Sequence, residues 1–200
     1  AAMILRPCAL RDGAALLARY HAYKAGGAVA ALCFAVWEAN KMVAFYAFNP
    51  PAPGAALAVC PEAPHGVLAL TRMVAVPKGE RALKHVSKPL RHIAKHMLDR
   101  SRWPVLITYS DSAAGHTGYV YQCAGWTATQ TVSAPFYVDG RGARVSTYSG
   151  GKHKTGMTRA GVTELTRWES RACQKGEADK HMASAGWRRV PTGKTWRNGN

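Results

Sequence analysis

The residues best suited to chemistry in this chain gather around one carboxylate. Asp111 ends an apolar, β-branched run, Val105 to Thr108, through the polar step Tyr109-Ser110-Asp111. Small residues follow at Ala113, Ala114 and Gly115, then His116 and Gly118, and an aromatic run through Tyr121 closes on Trp126. Strand, polar cluster, glycine turn and helix is the order in which α/β sheets place ligand sites. A carboxylate at a strand end can serve as a base or hold a metal. Tyr121 is spaced to point back at the same cleft, and His116 can donate or accept a hydrogen bond beside it. Plainer readings stand next to these: Asp111 as the cap of the following helix, Tyr121 as core.

Two further segments carry candidates. Tyr20-His21-Ala22-Tyr23-Lys24 packs two tyrosines, a histidine and a lysine into five residues. It is either a binding or catalytic knot or a solvated helix end, where His and Lys suit the dipole. Arg72 interrupts the apolar run Val67 to Val76. An arginine there is costly unless it faces solvent, pairs, or meets an anionic ligand.

Several enzyme classes drop out. The chain has no P-loop, no G-x-G-x-x-G, no H-E-x-x-H and no G-x-S-x-G. Ser110, Ser112 and His116 lie close together, but a serine hydrolase needs a nucleophile elbow and a base from a separate segment. The five cysteines are widely and irregularly spaced without a C-x-x-C pair, which argues for reduced, mostly buried thiols.

Charge points to a polyanion. The 200 residues hold 27 Lys+Arg against 11 Asp+Glu, a net charge of +16. Eight basic residues lie between Lys78 and Arg102 and thirteen after Gln130. Without an apolar insertion face, nucleic acid fits better than membrane, and with no long apolar run or leader segment a cytoplasmic protein is expected.

The elements that must position these residues can be read in order. Leu10 to Tyr23 reads as a first helix. Val29–Val36 and Met42–Phe48 form a hairpin around Glu38-Ala39-Asn40-Lys41. The Pro- and Ala-rich residues 49–66 read as a loop, and Val67–Val76 as a strand. Leu83, Val86, Leu90, Ile93 and Met97 make one helical stripe, with Pro89 kinking the helix or marking its first turn. Lys84, Lys88, Arg91 and Lys95 lie on its other face, either solvated or facing phosphates. Thr127–Val132 and Phe136–Thr147 read as two strands, and Thr163–Cys173 as a helix. Tryptophans alternate with cations at the end, so Arg188, Arg189 and Arg197 are candidates for phosphate contact beside stacked bases. The boundary falls after residue 148, giving a catalytic domain over 1–148 and a basic, partly flexible extension over 149–200.

The element order is that of a GNAT-like acyltransferase core: α/β, with a mixed twisted sheet, flanking helices and the basic C-terminal extension. The run Tyr109-Ser-Asp-Ser-Ala-Ala-Gly-His-Thr-Gly-Tyr-Val-Tyr-Gln-Cys-Ala-Gly-Trp126 resembles the signature of the phage Mom family of DNA-modification proteins. Leu70-Thr-Arg-Met73 and the helix after it resemble that family's arginine element, so the similarity spans about residues 18 to 130. The resemblance implies conversion of adenine to its N6-methylcarbamoyl form in duplex DNA, protecting phage DNA from restriction. It implies a catalytic set of His21, Asp111 and Tyr121. Arg72, His116, Tyr20 and Tyr23 become candidates for substrate or donor binding, with either tyrosine as the partner of His21. It also suggests iron, for which His21 and Asp111 are candidate ligands. The group donor is open: an acyl-CoA fits the fold, but Pro77-Lys-Gly-Glu-Arg81 is a poor pyrophosphate loop. Double-stranded DNA is the expected partner, with a dimer as one option for assembly. The competing readings are an acetyl-CoA-dependent N-acetyltransferase on a small amine or protein, and a non-catalytic DNA-binding module.

Overall fold

The two apolar runs around residues 38–41 form the hairpin their pattern demands. β2 (Leu32–Glu38) and β3 (Lys41–Asn49) pair antiparallel. Ala39 and Asn40 turn between them at φ 45° and 66°, the positive-φ pair that matches the twist of a two-residue hairpin. The computed structural model describes residues 3–21, 30–98, 102–142, 144–145, 157–172, 187–189 and 196–198.

Six more strands complete the sheet: β1 (Met3–Cys8), β4 (Val67–Ala75), β5 (Val105–Asp111), β6 (Thr127–Val138), β7 (Arg144–Val145) and β8 (Thr158–Arg171). Their order is β1-β2-β3-β4-β5-β8-β6-β7. β4 and β5 run parallel, and their pairing lasts only from Val67↔Val105 to Ala69↔Ile107. Past that point the ladder stops. The Thr108 hydroxyl donates to the Leu70 carbonyl at 3.0 Å, satisfying a backbone group that lost its strand partner, and a fork opens between the strands. At the same level Ala47 faces Arg72 while Phe48 faces Leu70, so β4 carries a one-residue bulge at Thr71 that re-aims the side chains after it.

Alternation along the strands assigns the faces. α3 (Ser87–Leu98) buries Leu90, Ile93, Ala94 and Met97 against Tyr46, Phe48, Leu68, Leu70 and Leu106, and α4 (Tyr119–Cys123) joins the same core. Burying a side chain such as Leu90 or Ile93 contributes about 1.5–3 kcal/mol. The opposite face is covered by α1 (Ala14–Tyr20), with Leu17 on Phe45, Ala47 and Val74, and by α2 (Pro53–Val59), with Ala56 and Val59 on Val67, Ala69, Val105 and Ile107. Pro89 lies in the first turn of α3, where its missing N–H costs nothing.

Five expectations are corrected. Residues 49–66 are not all loop: proline at the first helical position and the run Gly54-Ala-Ala-Leu-Ala58 start and carry α2. The first helix is shorter, a 3-10 turn over Leu10–Gly13 and then α1, which ends at Tyr20. Thr127 to Val138 is one strand, not two halves around Pro135; only Tyr137 and Val138 pair on the side away from β8, so Pro135 removes no donor from a two-sided ladder. Residues 163–171 are not helical but the second half of β8, where Val162, Thr163, Thr166 and Trp168 favour extended chain; Cys173 lies outside the described residues. The helix expected from Leu83 starts later, at Ser87, so Leu83, Lys84 and Val86 precede it; β8 inserts between β5 and β6. The two compact units are Ala1–Ser170 and Arg171–Asn200. In the second, β9 (Trp187–Arg189) and β10 (Trp196–Asn198) form an antiparallel pair with Trp196↔Arg189 and Asn198↔Trp187. No helix among the described residues is long and apolar enough to cross a membrane. Cys8, Cys33 and Cys123 are free thiols.

Candidate active site

The end of β5 is held from both sides by β8. On one face the Trp168 indole donates to Ser110 Oγ at 2.9 Å. On the other the Thr163 hydroxyl donates to Asp111 Oδ1 at 2.5 Å and accepts from the Ala113 amide at 3.0 Å. Asp111 is 5% exposed. A second bond to its Oδ1 comes from the Ala113 amide at 3.2 Å, and its carbonyl accepts from the His116 amide at 3.0 Å. Asp111 therefore does cap the 3-10 turn over Ser112–Ala114. The cap and a chemical role are compatible, since a carboxylate oriented by two donors is held at one angle. Gly115 and Gly118 (φ 73° and 76°) shape the connection to α4. A Cβ on Gly118 would stand 2.2 Å from the Trp168 ring, so only glycine fits under that indole.

Two further charges act on the histidine that follows α1. His21, just past the end of α1, is largely buried, and its pKa is pushed down to about 4, first by burial and then by the charges of Arg72 and His116. At neutral pH it is a neutral imidazole. Arg72 comes from the bulged stretch of β4, and its Nη1 donates to the Thr71 carbonyl at 2.8 Å. His116 is exposed at the rim of the Asp111 turn.

Tyr121 reaches the fork from the opposite face. It is 8% exposed and packed between Trp126 and Trp168, with ring centroids 6.1 and 6.0 Å away. Burial raises its pKa against the opposing effect of a hydrogen bond with Thr108, so it is a protonated phenol at neutral pH. Core packing and position at the fork hold together for this residue. Tyr20 turns elsewhere: its hydroxyl donates to Glu80 Oε2 at 3.5 Å, in the loop after β4. Tyr23 lies outside the described residues.

Lys88, Arg91 and Lys95 are exposed on α3 with His92 and His96, whereas Lys84 and His85, expected on the same helix, are exposed in the turn before its start at Ser87. Arg91 has a task within the fold, since Arg91 Nη2 donates to the Cys123 carbonyl at the end of α4 at 2.5 Å. Arg188, Arg189 and Arg197 lie in β9 and β10, and the contacts proposed for their side chains lie outside what is described.

Thr163, Trp168 and Thr108 were not legible as site residues. For Thr163 and Trp168 the signal was the alternation of β-branched and polar residues over 162–169, overshadowed by the helical spacing of Leu165, Trp168 and Ala172.

The fork between parallel β4 and β5, the strand inserted beside β5 and the helices on both faces define a protein of the GNAT acetyltransferase fold. Similar solved structures are an N-acetyltransferase from Staphylococcus aureus Mu50 (12% identity, 86% of this chain and 100% of that chain, TM-score 0.53) and the ribosomal-protein-S18-alanine N-acetyltransferase from Escherichia coli (14%, 88% and 97%, TM-score 0.55). A third is the spermidine N-acetyltransferase from Vibrio cholerae in complex with CoA and spermine (7%, 85% and 95%, TM-score 0.53). These likenesses establish the fold. The Mom protein family model matches residues 2–185; the chain belongs to the Mom protein family. No curated protein matches it in sequence.

Proposed function

We propose that this chain is a transferase that modifies adenine at N6 in double-stranded DNA, adding the methylcarbamoyl-type group that protects phage DNA from restriction. The observation that carries this reading is the convergence, in a member of the Mom family, of His21, Arg72 and His116 on the fork beside the turn that Asp111 caps. The target base is flipped out of the stack, because N6 chemistry needs room around that amine. Asp111 orients the amine. As the new N–C bond forms and the bond to the donor's leaving group breaks, the amine loses a proton, which the neutral His21 imidazole accepts. Arg72 faces an anionic part of the donor. Tyr121, kept protonated, acts as a hydrogen-bond donor and not as a phenolate base. The exposed Lys84, Lys88 and Lys95 hold phosphates, aided by the arginines of the C-terminal unit.

Neither suggested cofactor finds a matching set. Iron needs converging anionic or neutral ligands, yet among the described residues no three His, Cys, Asp or Glu side chains come together as a metal group. The Arg72 charge acts on His21, which disfavours a second cation beside it. No step is assigned to a metal. An acyl-CoA needs free backbone N–H groups at a strand–helix turn, and after β4 the Ala82 and Leu83 amides are bound to Glu38.

Mass spectrometry of nucleosides from DNA of cells expressing the chain tests the reading. A modified deoxyadenosine, absent with Asp111→Asn, is expected; unmodified deoxyadenosine throughout sinks it in favour of an N-acetyltransferase or a binding module.

A further inference from the structure

The turn between β4 and α3 carries an internal anion. Glu38 closes β2, where its backbone pairs with Lys41 across the Ala39-Asn40 turn. That geometry sends its side chain to residues that lie more than forty positions away. One carboxylate oxygen accepts from the Ala82 amide at 2.8 Å and the other from the Leu83 amide at 2.5 Å. Two successive backbone N–H groups converging on one pair of oxygens is the arrangement a phosphate takes in a backbone nest. Here the protein's own carboxylate takes it.

Ala82 and Leu83 are thus the convergent N–H pair of this turn, and side chains around it are engaged within the fold. Arg81 Nε is committed to the Val76 carbonyl at 2.6 Å, and the Val86 carbonyl accepts from the Tyr46 hydroxyl at 2.8 Å. α3 starts only at Ser87, and Pro89 removes one N–H from its first turn. An incoming pyrophosphate would therefore have to displace Glu38 and tolerate its charge nearby.

We propose that Glu38 closes the phosphate cradle of the β4–α3 turn from within, so that the donor used by this chain is one that presents no CoA pyrophosphate. The inference deepens the proposed function by restricting its donor. Its test reads anion binding and not modification, so either can fail alone.

The full-length, 15N-labelled chain is titrated with inorganic pyrophosphate and, in parallel, with CoA, following the amide signals of Ala82 and Leu83 against a sodium chloride control. In the wild type neither signal moves beyond the salt control. In Glu38→Ala both move saturably, with a Kd at least about tenfold lower than any wild-type response, a factor equal to about one charge-assisted hydrogen bond. Glu38→Gln keeps an acceptor for one N–H but drops the charge, and falls between the two. A wild type that responds as strongly as Glu38→Ala overturns the proposal, as does the absence of any response in the folded variants. If Glu38→Ala does not fold, Glu38→Gln decides: saturable binding supports the proposal and none overturns it.

Discussion

The fork and the outer face of α3 are built from the same residue types under opposite conditions. At the fork, Arg72, His21 and His116 act on one another, and burial with like charge drives His21 to a pKa of about 4. On α3 and in the turn just before it, Lys84, Lys88, Lys95 and three histidines stand in solvent, and the other side of the helix is core. Desolvation at the fork fixes His21 in its neutral form. Exposure on α3 leaves charges that are individually weak but act together on a polyanion. The first arrangement suits chemistry on one group; the second suits holding a long one.

The largest break between the two regions is expected from Asp111→Asn. Asparagine keeps an oxygen for Thr163 and Ala113, so the turn stays folded, but it carries no charge. Modification falls by about 10²–10⁴-fold in the nucleoside mass spectrum, while DNA affinity in a gel-shift titration is unchanged. Loss of both together would merge the two regions into one.

Next in size is the triple change Lys84→Ala, Lys88→Ala and Lys95→Ala. If each lysine neutralises one phosphate, the slope of log K against log salt becomes shallower by about 2.7, and affinity at moderate salt falls by roughly ten- to a hundredfold. Fluorescence anisotropy with duplex DNA at several salt concentrations measures both. An unchanged slope would remove α3 from the DNA interface. Arg91 is left out of this set because its guanidinium already ties α3 to the end of α4.

How much of this was legible depended on how local the determinant was. The β2–β3 hairpin, α3 and the strand before Asp111 announce themselves through apolar period and turn residues only a few positions apart. The fork does not: it exists because the β4–β5 ladder ends at Ala69 and Ile107, a long-range event that neither strand encodes alone. β8 was misread because Leu165, Trp168 and Ala172 match a helical step, and the pairing with β6 that decides the matter is far away in sequence. Asp111, His21 and Arg72 could be singled out one by one from residue type and motif. That His21 and Arg72 share one environment, and that Thr163 and Glu38 are bound into these sites, follows only from the assembled sheet.

A smaller effect separates the carboxylate from its support. Thr163→Val keeps the shape of the side chain but removes the hydroxyl that bonds Asp111 and Ala113. Leaving part of a buried carboxylate unsatisfied costs about 1–3 kcal/mol, seen as a lower urea midpoint. Turnover is expected to fall while DNA affinity stays constant, and Thr163→Ser restores most of both. Equal turnover in Thr163→Val would mean that the Asp111 geometry does not need β8.

The smallest and most specific effect concerns the protons of His21. Its folded pKa of about 4 lies below the ordinary 6.5, so between those values the unfolded chain binds more protons than the folded one. Stability from neutral His21 is fully present above about pH 6.5 and is lost as pH falls through about 4. Arg72→Ala removes one of the two repelling charges, and the His21 pKa should rise from about 4 while staying below 6.5, because burial is the larger cause and remains. The imidazole signals of His21 in an NMR titration report this directly, and the acid limb of the stability profile should narrow with them. If the titration midpoint moves neither here nor with His116→Ala, burial alone sets the proton of His21. The fork would then differ from the α3 face in solvent exposure and not in the coupling between its charges.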